Sequence, residues 1–169
     1  LYWAQQYPEE VEAIVGLDMA VPDAYESFKN NAFMNATSQF NAKTGMIRLV
    51  PLLNELDCVE HGTLTEEEKE IVHALLYKNF SNITTINELK CISDNAKIVG
   101  AGDIPQVPML LFISNDTSTT ELTDATQRYA NTVENAKVIQ LDCPHYVYEY
   151  NMIGEEIKNF LQATTEATE

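Results

Sequence analysis

What this sequence has least of is positive charge. Ten lysines and arginines stand against 26 aspartates and glutamates, a formal charge of −16. Phosphate backbones and anionic headgroups repel such a surface, so nucleic acid is excluded as an expected partner. Cysteine is also scarce. Cys58, Cys91 and Cys143 are odd in number and far apart, with no CxxC or Cys/His spacing. That excludes a disulfide framework and a thiolate metal site, and it fits free thiols in a reducing cytoplasm. Long apolar runs are missing: nothing approaches the roughly 20 residues that cross a bilayer, and no signal-peptide pattern is seen. No G-x-G-x-x-G or Walker-type loop follows any strand-like run, which argues against a nucleotide-binding domain. No cofactor and no metal is expected.

What is there reads as strand and helix in alternation. Ala13 to Leu17 is a short apolar run ending in Asp18, and MLLFIS at 109–114 is the strongest strand signal. Lys137 to Leu141 is a third. Near-continuous apolarity suits parallel strands covered on both faces. Between the first two, residues 24–103 are dominated by helical periodicity. Helices are expected over about Ala24 to Asn35, near Ile47 to Leu56, from Thr65 to about Asn79, and from about Thr84 to Val99. The Thr65 start carries a capping box, T-E-E-E. Pro22 is expected to keep its loop irregular. A helix over Thr123 to Glu134 precedes the third strand, another reaches about Gln162, and the polar tail ATTEATE is expected to fray. The fold class is α/β: a parallel sheet with a helical insertion after the first strand, divided as 1–23 with 104–169, and 24–103. Right-handed crossovers would set all the strand carboxyl ends on one edge, where Asp18, Asp116 and His145 would meet.

The order of elements resembles the carboxyl-terminal half of an α/β-hydrolase. EAIVGLDMAVP resembles the sixth strand and its loop, VPMLLFIS the seventh strand, VIQLDC the eighth, and CPHY the start of the catalytic-histidine loop. The 24–103 insertion resembles a cap. LYWAQQYP, which begins without Met, resembles the helix that follows the nucleophile elbow. No G-x-S-x-G occurs in residues 1–169. The expectation is therefore a chain cut or processed from something longer. It would lack the nucleophile and the oxyanion donors, and so be inactive alone.

The resemblance implies a Ser-His-Asp triad that cleaves an ester, amide or related bond in a small-molecule substrate. His145 is the candidate general base: a neutral imidazole takes the serine proton and returns it to the leaving group. An isolated histidine is more often structural, and His61 and His73 are read that way. Two acids compete to orient His145. Asp116 lies in the loop after the second strand, where most family members hold the acid, but the usual Gly-x-x-Asp is absent. Asp18 matches the G-L-D motif of pancreatic-type lipases and follows a buried strand with no base nearby in sequence. Asp18 is preferred, and Asp142 is read as structural. Met19 and Ala20 are candidates for a site floor. Phe28, Phe33, Met34, Phe40, Met46, Leu49, Leu52 and Leu53 are candidates for an apolar pocket, or equally for internal packing. Tyr146, Tyr148 and Tyr150 are read as packing. An unpaired outer edge on the first strand would invite self-association. The competing reading is a non-catalytic α/β binding or regulatory module in which His145 is structural.

Overall fold

A computed structural model describes residues 1–49, 59, 63–115, 120–143, 145, 147 and 151–168. Three parallel strands form its sheet among these residues: β1 (Ile14–Leu17), β2 (Met109–Ser114) and β3 (Ala136–Leu141), in that spatial order. Ile14 pairs with Met109 and Leu17 with Phe112, while Met109 pairs with Ala136 and Ser114 with Leu141. The α/β class and the parallel sheet follow the sequence expectation, and β2 occupies the residues read as the strongest strand. Every residue of β2 is buried. A central strand covered on both faces has no place for a polar alternation, so MLLFIS is apolar until its last residue.

The alternation of the strand sorts the core into two layers. Leu110 and Phe112 pack on one face with Leu141, Cys143, Val147 and Ile153. Ile153 belongs to the last helix, Asn151–Thr168. Met109 and Leu111 pack on the other face with Ala130 and Val133, at and just beyond the end of the helix Thr120–Ala130. We number the helices α1 (Tyr2–Gln6), α2 (Pro22–Tyr25), α3 (Ala32–Thr44), α4 (Glu66–Asn79), α5 (Ile83–Gly100), α6 (Thr120–Ala130) and α7 (Asn151–Thr168). No helix among the described residues is long and apolar enough to cross a membrane.

The chain separates into two compact units. Leu1–Phe28 with Ser93–Glu169 makes the sheet unit, and Lys29–Ile92 makes the helical unit. α5 runs through the boundary at 92/93. In the helical unit, α3 starts at Asn31, whose side chain accepts the Met34 N–H at 3.1 Å, and ends at Gly45 in the left-handed region. α4 carries the expected capping box, with Thr65 and Glu68 serving each other's backbone N–H.

Three local expectations are corrected. The helix expected over Ala24 to Asn35 is replaced by α2 and α3, because the cap at Asn31 begins a new helix after the polar run at 29–31. Pro22 starts α2 from its first position, where its missing N–H costs nothing. The tail expected to fray is helical to Thr168, where Thr164 and Thr165 donate back to the Phe160 and Leu161 carbonyls at 2.9 and 3.0 Å. The helix expected near Ile47 to Leu56 begins as a 3-10 turn at Met46–Leu49, and its remainder lies outside the described residues.

Candidate functional site

β1 ends at Leu17, and the chain leaves the sheet through Asp18 in the left-handed region, at φ +48°. Aspartate tolerates that conformation better than most residues. Several contacts hold the turn. The Asp18 N–H donates to the Phe112 carbonyl at 2.9 Å. The Thr126 hydroxyl of α6 donates to the Met19 carbonyl at 3.3 Å. Met19 also packs over Gly16: a Cβ built on Gly16 would stand 2.6 Å from the Met19 sulfur and 2.8 Å from Leu111 Cδ2. The absence of a side chain at Gly16 is what lets the turn fold back against the sheet.

The Asp18 side chain is thereby carried into the protein, and the residue is 3% exposed. A carboxylate there needs bonds to replace its hydration. It accepts the Ser114 N–H on Oδ1 at 3.2 Å and the Ser114 hydroxyl on Oδ2 at 2.7 Å. Ser114 is the last residue of β2 and is fully buried. The third bond joins Asp18 Oδ2 to His145 Nδ1 at 2.7 Å, across 127 positions of sequence.

His145 reaches this point because the chain on either side of it is anchored. Cys143 and Val147 are both buried in the core cluster on one sheet face, and the Val147 N–H donates to the His145 carbonyl at 2.9 Å. The His145 side chain remains 43% exposed while that of Asp18 is completely covered. A carboxylate can only accept, so Nδ1 is the nitrogen that bears hydrogen, and in the neutral ring Nε2 is the basic one. Chemically this is an oriented base: a buried acid fixes the tautomer of a ring that solvent still reaches.

Asp18 and His145 are therefore in contact. Asp116, the other candidate acid, lies outside the described residues, as do His61, Leu52, Leu53, Tyr146, Tyr148 and Tyr150. Asp142 accepts a hydrogen bond from the Asn115 side-chain amide, tying the ends of β2 and β3. His73 lies in α4 of the helical unit, and its Nε2 is buried without a hydrogen-bond partner among the described residues. Ala20 is exposed and Met19 packs on the sheet. Phe33, Met34, Phe40, Met46 and Leu49 are exposed. The helical unit does contain a groove of about 610 Å³, but Val72, Leu75, Leu76, Phe80 and Leu89 make its apolar wall. Among the described residues no group of three or more His, Cys, Asp or Glu side chains could hold a metal ion. Ser114 was not singled out in the sequence. Its signal was a lone polar residue ending an otherwise apolar buried strand, which must find a partner.

No family model matches the chain, and no solved structure matches it. A similar protein is "Uncharacterized protein YbdG" of Bacillus subtilis (strain 168), 30% identical over 116 residues. The match takes in 66% of this chain and 36% of that protein, so the chain spans little more than a third of its relative's length.

Proposed function

We propose that residues 1–169 are the carboxyl-terminal part of an α/β-hydrolase and supply the acid and base of a Ser-His-Asp triad. The reading rests on the 2.7 Å contact between the buried Asp18 carboxylate and Nδ1 of the half-exposed His145. β1, β2 and β3 then correspond to the family's sixth, seventh and eighth strands, and the helical unit to its cap. The nucleophile and the oxyanion donors come from outside these residues. Ser114 is not the nucleophile, since its hydroxyl is buried and bonded to Asp18. In the reaction His145 Nε2 takes the proton of an attacking serine hydroxyl. Asp18 holds the ring through Nδ1 and stabilises the imidazolium, and the proton passes on to the leaving group of an ester, amide or related bond. The proposal includes a small-molecule substrate, a cytoplasmic location, and self-association of the isolated chain along the outer edge of β1.

The test is fluorophosphonate labelling and ester turnover in a longer protein that contains this chain. His145→Ala is expected to lower turnover by about 10⁴-fold or more, and Asp18→Asn by about 10⁴-fold, with His73→Ala unchanged. A loss in Asp116→Asn with Asp18→Asn unaffected would transfer the acid's role to Asp116. The 169-residue chain alone is expected to turn over no activated ester. Turnover by that chain, lost on His145→Ala, would contradict this.

The absence of G-x-S-x-G from residues 1–169 favours a second reading, a non-catalytic α/β binding or regulatory module. A longer protein that takes up no probe and turns over no ester would establish that reading instead.

A further inference from the structure

We infer that Ser114 is the positioning residue of the Asp18–His145 pair: it fixes the rotation of the buried carboxylate so that one oxygen stays in line with His145 Nδ1. The inference deepens the proposed function and takes its catalytic meaning from that reading, although the positioning itself can be measured without it.

The geometry is specific. Ser114 contacts both carboxylate oxygens, Oδ1 through its backbone N–H and Oδ2 through its hydroxyl. Two donors on different oxygens oppose rotation about the bond that carries the carboxylate, which a single donor would not. The backbone donor is fixed by the pairing of Ser114 with Leu141 at the end of the β2–β3 ladder. The hydroxyl shares Oδ2 with His145, each at 2.7 Å. Removing it leaves the Oδ2 side of the carboxylate held, among the described residues, by the imidazole alone. The partner would then have to orient the group that is supposed to orient it. Water cannot readily replace the hydroxyl, because Ser114 is fully buried and Asp18 nearly so. Thr126 and Phe112 hold the turn backbone but do not touch the carboxylate, so the orientation falls to Ser114.

The readout is the tautomer of His145, measured by nitrogen-15 NMR on the whole 169-residue chain at alkaline pH. The native chain is expected to show the Nδ1–H tautomer. Ser114→Ala is expected to lower the ratio of Nδ1–H to Nε2–H about five-fold or more, the effect of one lost hydrogen bond. Ser114→Thr, which restores a hydroxyl, is expected to recover it. Thr126→Val removes the α6 hydroxyl that bonds the same turn and is expected to leave the ratio native. A native ratio in folded Ser114→Ala would overturn the inference. If Ser114→Ala does not fold, Ser114→Cys decides: its weaker donor lowers the ratio if the inference holds, and an unchanged ratio overturns it. Failure of the hydrolase reading looks different, with no probe labelling in the longer protein whatever the tautomer ratio.

Discussion

Phe112 and Phe33 are the same side chain in two different settings. Phe112, in the central strand, is 0% exposed, and Phe33, in α3, is 78% exposed. The difference extends to the units they belong to. β2 buries all six of its residues between two helix-covered layers. α3 and α4 have no buried residue, and in the helical unit Ile47 and Ile86 are the buried apolar residues among those described. The sheet unit is held by long-range contacts, since each strand finds its partner many residues away. The helical unit depends visibly on local devices: the Asn31 and Thr65 caps, the Asn82 side chain accepting the Thr85 N–H at 2.9 Å, and the left-handed Gly45. Precise geometry between distant residues is available only in the first kind of structure. Asp18, Ser114 and His145 all lie in it.

The sharpest way to break this contrast is to shorten one apolar side chain in each unit. Phe112→Ala opens a cavity where the strand has no room to relax, and it is expected to cost about 3–5 kcal/mol. Leu75→Ala, on the half-exposed face of α4, is expected to cost under about 1 kcal/mol. Denaturant titration followed by hydrogen exchange measures both, because exchange reports each unit separately. Equal costs would mean that the helical unit has a core as tight as the sheet's.

Two glycines sharpen the comparison at smaller amplitude. Gly16 is required by crowding, with Met19 and Leu111 in the space of its absent Cβ. Gly16→Ala is expected to cost about 1–3 kcal/mol, the usual range for overpacking, and to be relieved by shortening Met19. Gly45 is required by its backbone alone: φ is +76° and nothing stands within 4 Å of an added Cβ. Gly45→Ala is expected to cost about 1 kcal/mol, with no neighbour whose change relieves it. Thermal unfolding of the single and double variants separates the two causes. Relief of Gly45→Ala by a neighbouring truncation would show packing where the backbone should decide.

The two units also differed in how far sequence could read them. β2 was plain because six buried positions leave an uninterrupted apolar run, and a parallel sheet then brings strand ends together. Before any coordinates, that placed Asp18, Asp116 and His145 on one sheet edge, and the preference for Asp18 came from the G-L-D resemblance and not from the strand pattern. Ser114 escaped notice because a serine at a strand end is common and cannot act as acid or base at neutral pH. Its role depends on Asp18 turning inward at φ +48°, which no sequence pattern announced. In the helical unit the Thr65 capping box was legible because its signal is local. The split between α2 in the sheet unit and α3 in the helical unit was not, because Asn31 is one polar residue among several at 29–31 and marks no boundary by itself. Where side chains bury little area, a cap outweighs periodicity.

That balance sets the smallest effect. Thr65→Ala removes the cap of α4 and is expected to cost about 1 kcal/mol of helix stability. The capping box also makes the helix sensitive to acid. The Glu68 carboxyl is held below its usual range, chiefly by accepting the Thr65 backbone N–H at 2.8 Å and next the Thr65 hydroxyl at 2.7 Å. A depressed folded-state pKa means that the stabilisation is complete above the ordinary glutamate range. It fades as the pH falls through the folded value, where protonation removes the acceptor. Glu68 is fully exposed, so the contribution is small and further weakened by salt. The measurement is hydrogen exchange of the first-turn amides of α4 across the acid range, compared with those of β2. Protection in α4 should decline there in the native chain, keep the larger part of that acid dependence in Thr65→Ala, which retains the backbone N–H, and lose it in Glu68→Gln. In β2 neither acid nor either substitution should matter over the same interval. A common decline would mean that the two units unfold as one and that the caps of the helical unit support the sheet as well.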